Sequence, residues 1–251
     1  MPDWIAAAAR NMAGWHASSL AALGLSSQYT DCLWSCRQPG PPIYLGAIVL
    51  SNRDLAGLYR EIEQLAASRS HAPFGLCDSW SMLALQALGF EGAETGVWYA
   101  RATQPPPTRL PMPELAIEEV TTPAQLVEFE AAAIEGFEAP QLHGLGSLGL
   151  HAAEILHDPR MKIYAGRVGG RVVSVSMAYL DSQVVGVYGV ATLPAYRRRG
   201  FGEAMTWRAV LSQPDWPAVL QPSPLGAPVY RRMGFQEIGR FTSWFYPGIG
   251  E

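Results

Sequence analysis

The chain of 251 residues carries 18 Lys and Arg against 22 Asp and Glu, a net charge of −4, with 49% hydrophobic and 16% charged residues. That composition supports one large or two small packed domains and excludes the strongly basic face that a nucleic-acid partner requires. The apolar run YLGAIVL (44–50) falls far short of the roughly 20 residues of a membrane span, and the N-terminus has an acid at Asp3 and no basic stretch before its apolar patch, unlike a secretory signal. A cytoplasmic protein without a membrane partner is expected.

In chain order, Cys32, Cys36 and Cys77 are odd in number and lack paired zinc-type spacing, so they read as buried free thiols and no metal is expected. The stretch RATQPPPTRLPMPE (101–114) holds five prolines, which remove amide donors and disfavour helix, and marks a linker. It divides the chain into domains at 1–104 and 115–251, joined by 105–114. Helices are predicted at 123–137 and 147–159, the second stopped by Asp158-Pro159. From Lys162 to Pro194, a Gly169-Gly170 turn and Asp181-Ser182 divide three strand-like runs into a meander. A helix after Gly200, a short strand AVLQPS (218–223), a helix PVYRRMG (228–234) and a closing strand RFTSWFYP (240–247) complete an α+β layout around one twisted, mostly antiparallel sheet flanked by helices.

The chain also aligns with itself when shifted by 145 residues. Gly89-Phe90 falls on Gly234-Phe235, each followed by Trp and an aromatic (Trp98-Tyr99, Trp244-Phe245), and Gly57 falls on Gly202. The N-terminal part therefore reads as a partial copy of the second.

The stretch PAYRRRGFGEAMTWRAV (194–210) concentrates charge and bare backbone at the start of a helix. A strand from Val184 to Leu193 turns through Arg197, Arg198, Arg199, Gly200, Phe201 and Gly202 into that helix. Amides at a helix start lack partners and the dipole favours an anion there. Glycines at 200 and 202 let backbone approach a ligand, and the arginines add attraction; the pattern reads as a pyrophosphate cradle. A Walker loop would need a lysine, and a dinucleotide fingerprint would need Gly or Ala where Met205 stands. Ser147 lacks the frame of a hydrolase nucleophile elbow because Leu145 occupies its first glycine position.

Arg-x-x-Gly-x-Gly after a strand and a proline, followed by Ser223, Tyr230 and Gly234-Phe235 in LQPSPLGAPVYRRMGF, resembles the GNAT superfamily of N-acetyltransferases across 115–251. The resemblance implies a GNAT-like fold, acetyl-CoA as co-substrate and a small-molecule or peptide amine as acceptor, with a homodimer as the assembly to test. It implies direct attack of a primary amine on the thioester through a tetrahedral intermediate. By motif position, Val190, Ala191 and Thr192 would pair with the pantetheine arm. Arg198, Arg199, Gly200, Phe201, Gly202 and Glu203 would hold the pyrophosphate, largely through main-chain amides. Ser223, where the family commonly has asparagine, would contact the cofactor arm, and Tyr230 would be the general acid.

The strand SQVVGVYGVATL (182–193) carries no glutamate, so Glu135, Glu138 and His143 are the candidates for the base, on the helix and loop expected to cover the substrate. Under the 145-residue shift, Asp54 matches Arg199, Leu55 matches Gly200, Asp78 matches Ser223 and Leu85 matches Tyr230. The first copy should thus keep the fold without a cofactor site, Asp54 serving as a helix N-cap. The alternative reading is a non-catalytic acyl-CoA sensor or scaffold.

Overall fold

The computed structural model describes residues 3–69, 72–103 and 114–248. The linker expected at 105–114 lies, Glu114 apart, outside them. In chain order the elements are α1 (Trp4–Ala22), β1 (Ser27–Tyr29), β2 (Leu33–Cys36), β3 (Ala47–Val49), α2 (Leu55–Ser68), β4 (Phe74–Asp78), β5 (Glu91–Arg101), β6 (Ala116–Glu119), α3 (Pro123–Gly136), β7 (Met161–Val168), β8 (Arg171–Asp181), β9 (Val184–Thr192), α4 (Phe201–Val210), β10 (Ala218–Leu220), α5 (Ala227–Arg232) and β11 (Gln236–Tyr246). Two compact units emerge, 1–99 with 237–251, and 100–236. The sequence reading kept the last strand with the second part; in the structure its residues belong to the first unit.

In the first unit the strands run β1-β2-β3-β4-β11-β5. β3 and β4 pair in parallel across α2, and β4 pairs antiparallel with β11 from Asp78↔Thr242 to Phe74↔Tyr246. The Asp54 carboxylate accepts from the Gly57 amide at 2.8 Å and caps α2, as the sequence suggests. Leu58, Ile62 and Leu65 of α2 bury against Leu33, Val49, Leu76, Trp244 and Tyr246, each such side chain contributing about 1.5–3 kcal/mol. The three cysteines are buried free thiols.

The second unit orders its strands β10-β9-β8-β7-β6. The meander β7-β8-β9 is antiparallel throughout, whereas β10 joins β9 in parallel, so the sheet is mixed. Thr122 and Gln125 form a capping box that starts α3, with Pro123 in its first turn. The predicted helix at 147–159 is absent; only a 3-10 turn at Ala153–His157 forms there. The reason is local. Leu150 and His151 donate their amides to the buried Glu130 carboxylate at 2.6 and 3.1 Å, and Gly146 and Leu148 adopt positive φ, so no helical ladder can run through them. Burial raises the Glu130 pKa, but the His151 ring and these amides outweigh it and leave the carboxyl below its ordinary value. Among the described residues no helix is long and apolar enough to cross a membrane.

His16 of α1 is buried among Trp15, Trp34 and Tyr44, with ring centroids 4.7, 5.6 and 5.9 Å away. Its Nδ1 lies 2.9 Å from the Met12 carbonyl. Burial lowers its pKa to about 4, so below the unfolded value near 6.5 the unfolded chain binds a proton that the folded chain refuses. Stability is therefore full above about pH 6.5 and should fall by about 1.4 kcal/mol per pH unit between there and about pH 4. Urea unfolding monitored over this range, compared with His16→Gln, should show that slope in the wild type alone.

Candidate active site

The site is built where β9 leaves its parallel neighbour. The β9–β10 ladder contains Val185↔Ala218 and Gly186↔Val219, and β10 ends at Leu220, so the end of β9 from Val190 to Thr192 runs beyond β10. On its other side β9 pairs with β8, with a bulge that sets Gly189 and Val190 opposite Ser176. Gly189 takes φ +59 there. A bulge increases local twist and re-aims the strand. The buried Ser174 hydroxyl donates to the Ala191 carbonyl at 2.9 Å and lies 2.7 Å from the Thr192 hydroxyl, fixing the strand end.

Beyond Thr192 the chain makes a 3-10 turn at Pro194–Tyr196 and then the glycine turn into α4. Arg198 holds φ +61, a left-handed conformation that costs a non-glycine residue about 1–2 kcal/mol. Gly200 is the N-cap of α4 at φ +86, where glycine is favoured and no side chain caps the helix. The amides of Phe201, Gly202 and Glu203 sit in the first turn, without intrahelical acceptors. Gly202 is informative because neither strain nor packing requires it. A Cβ there would meet nothing nearer than Thr192 Oγ1 at 3.7 Å, so the space beside this first-turn glycine is open. That open backbone fits an anionic phosphate.

The three arginines differ. Arg198 is exposed. Arg199 donates to Glu114 at 2.7 Å and lies over the Tyr196 and Phe201 rings, so what it offers the turn is its backbone. Arg197 turns inward, as described below.

Tyr230 rises from α5 behind the turn. Its ring packs edge-on to Phe235 at 5.9 Å and over Gly226, where a Cβ would come within 2.7 Å of Cε2. Burial pushes the phenol pKa up, opposed by a hydrogen bond with Thr206. The Thr206 hydroxyl donates to the Gly202 carbonyl at 2.8 Å, so one buried side chain links the phenol to the glycine turn. Thr206 escaped the sequence reading because a threonine inside a helix is ordinary; its register four residues after Gly202 was the available signal. Arg101 supports the same corner, donating to the Met233 carbonyl at 2.9 Å and stacking on Trp207 at 4.7 Å. Ser223 is exposed, and its hydroxyl accepts from the Gly226 amide at 3.1 Å, shaping the turn into α5.

The candidate bases are placed differently. Glu135 pairs with Arg171 at 3.0 Å and Glu138 with Arg197 at 2.8 Å, while His143 lies in the 3-10 turn Pro140–Leu145. Among the described residues no group of three His, Cys, Asp or Glu side chains could hold a metal.

Residues 119–212 match the family model described as an acetyltransferase (GNAT) domain. Matching solved structures include a GCN5-related N-acetyltransferase from Kribbella flavida, at 18% identity over 94% of this chain and 96% of that one, TM-score 0.63. Another GCN5-related N-acetyltransferase, from Sphaerobacter thermophilus, matches at 14% identity over 96% and 94%, TM-score 0.55. A functionally unknown conserved protein from Staphylococcus epidermidis matches at 11% over 88% and 93%, TM-score 0.61. No curated protein matches the chain. The structural likenesses give the fold, and the match of residues 119–212 to the family model supports an acetyltransferase over the non-catalytic alternative.

Because Gly226 leaves the space that the Tyr230 ring occupies, Gly226→Ala should displace that ring and lower stability by about 1–3 kcal/mol. Denaturant unfolding measures the loss, and a crystal structure of the variant would locate the ring.

Proposed function

We propose that the protein transfers the acetyl group of acetyl-CoA to the primary amine of a small molecule or peptide, with the glycine turn at the start of α4 as the pyrophosphate site. The observation that carries this reading is Gly202, a glycine whose only evident use is to keep the helix amides accessible. Acetyl-CoA supplies an activated thioester. The amides of the first turn of α4 would hold its pyrophosphate, and the end of β9 at Val190, Ala191 and Thr192, beyond β10, would present backbone amides to its pantetheine arm. Amides of that strand end would also donate to the carbonyl oxygen as negative charge develops. The amine nitrogen would bond to the carbonyl carbon to give a tetrahedral adduct, whose collapse breaks the carbon–sulfur bond. Tyr230 would give its proton to the departing sulfur, and its raised pKa keeps the phenol protonated at neutral pH. The amine's own proton passes to water or to a carboxylate of the covering segment, of which Glu135 and Glu138 are each held by an arginine.

We also read the first unit as a degenerate copy of the second. Supporting this, the 145-residue shift carries β5, Glu91–Arg101, onto β11, Gln236–Tyr246. It also overlays α2 on α4 and β4 on β10, and β3-α2-β4 and β9-α4-β10 are both parallel strand–helix–strand units. Where α4 begins with bare glycine, the carboxylate of Asp54 occupies the α2 terminus, and Leu85 stands in place of Tyr230. Such a terminus repels phosphate.

Acetyl-CoA at about 100 times its dissociation constant should stabilise the native protein by roughly 2.7 kcal/mol. Thermal unfolding should show this shift in the wild type and lose it in Gly202→Asp; a shift retained in that variant contradicts the cradle. Tyr230→Phe should keep the shift while slowing acetyl transfer by about 10²-fold or more, and an unchanged rate removes the phenol from the mechanism.

A further inference from the structure

Arg197 precedes the glycine turn, yet its guanidinium points away from it. Nε donates to the Thr192 carbonyl at 3.2 Å, Nη2 to the Gly136 carbonyl at 2.8 Å and Nη1 to Glu138 Oε2 at 2.8 Å. One planar group thus joins the end of β9, the last residue of α3 and the first corner of the segment that follows α3. The joint is tight. A Cβ on Gly136 would stand 2.9 Å from Ala191 Cβ and 3.3 Å from the Thr192 nitrogen, so only glycine lets the helix end abut the strand.

The backbone on both sides of this bridge is strained. Glu138 holds φ +54 at the left-handed position that closes α3, with the Ala139 amide bonded back to the Ile134 carbonyl at 3.1 Å. Glycine or asparagine usually takes that place. Arg198, next to Arg197, holds φ +61. A glutamate at 138 tolerates the conformation while supplying the carboxylate that grips Arg197. Two non-glycine residues in the left-handed region beside one ion pair indicate a connection held against local preference.

We propose that Arg197 is a positioning residue that ties the segment 137–151 to the glycine turn, so that a ligand's phosphate held at the turn also steadies the segment covering the thioester end of β9. This rests on the acetyl-CoA reading above. The bridge works because the guanidinium is a rigid fork: its three acceptors stay satisfied together only while the turn keeps its place. An anion held by the turn's amides restrains the backbone from which Arg197 springs, and the restraint passes to Gly136 and Glu138. The segment then opens less often, and an incoming amine meets a formed wall beside Thr192. Phe137 and Leu145 of that segment are exposed.

Hydrogen exchange measured by mass spectrometry on the full chain, with and without saturating acetyl-CoA, tests the proposal. In the wild type, acetyl-CoA should slow exchange at 198–204 and, by at least about threefold, at 137–151. In Arg197→Met the slowing at 198–204 should persist and that at 137–151 should vanish. A purely structural arginine would change exchange without ligand but leave the ligand-dependent increment intact. Glu138→Gln, which keeps both carbonyl bonds, should show a reduced increment at 137–151, and it decides the matter if Arg197→Met does not fold. An undiminished increment in the variants, or wild-type protection confined to 198–204, overturns the bridge while leaving the cofactor site standing. No wild-type protection at 198–204 overturns the cofactor reading and this inference with it.

Discussion

The second unit is organised by a parallel strand pair in which the three-residue β10 ends well before the nine-residue β9. Had β10 continued alongside β9, the backbone from Val190 to Thr192 would be consumed by the sheet ladder. Its early end leaves donors and acceptors without a strand partner, which a protein interior seldom tolerates. The surrounding residues are arranged around that interruption. Ser174 takes the Ala191 carbonyl, Arg197 takes the Thr192 carbonyl and the bulge at Gly189 turns the remainder. Helix α4 starts four residues beyond Arg197, so amides of two kinds, strand and helix, are left open on neighbouring stretches of chain.

Charge is apportioned with similar economy in a chain that is negative overall. Of the three consecutive arginines, Arg197 braces backbone, Arg199 pairs with Glu114 over two aromatic rings, and Arg198 is exposed. The cluster that looks like a uniform basic patch in sequence is three different devices in space. The anion-attracting character of the turn comes mainly from oriented peptide groups, which need no counter-ion and cannot be lost by deprotonation.

Much of this was legible in the residues because local rules and tertiary packing agree. The meander followed from Gly169-Gly170 and Asp181-Ser182, and the cap of α2 from Asp54. The turn into α4 followed from glycine spacing. What escaped depended on partners distant in sequence. The amides of Leu150 and His151 are drawn to Glu130, twenty residues earlier, and no propensity for helix at 147–159 reveals such a competitor. Arg197 was the first letter of a recognised pattern, yet its role needed the carbonyl of Gly136 and the carboxylate of Glu138, 61 and 59 residues away. The Thr206 link between phenol and turn was equally silent, since a helical threonine announces nothing about what lies above it. The placement of β11 in the first unit had no local signal, because strand pattern specifies a strand and not its neighbour.

That placement has a consequence for how the protein is made. Ser81 and Thr242, whose hydroxyls lie 2.6 Å apart, are separated by 161 residues, and the whole of the second unit lies between them. While a ribosome extends the chain, β4 lacks its β11 partner, and so has an unfinished sheet edge, until the second unit has been translated in full. The usual order, in which the segment synthesised first is also completed first, is inverted here. The nascent first unit must wait, and the later-made unit can close before it.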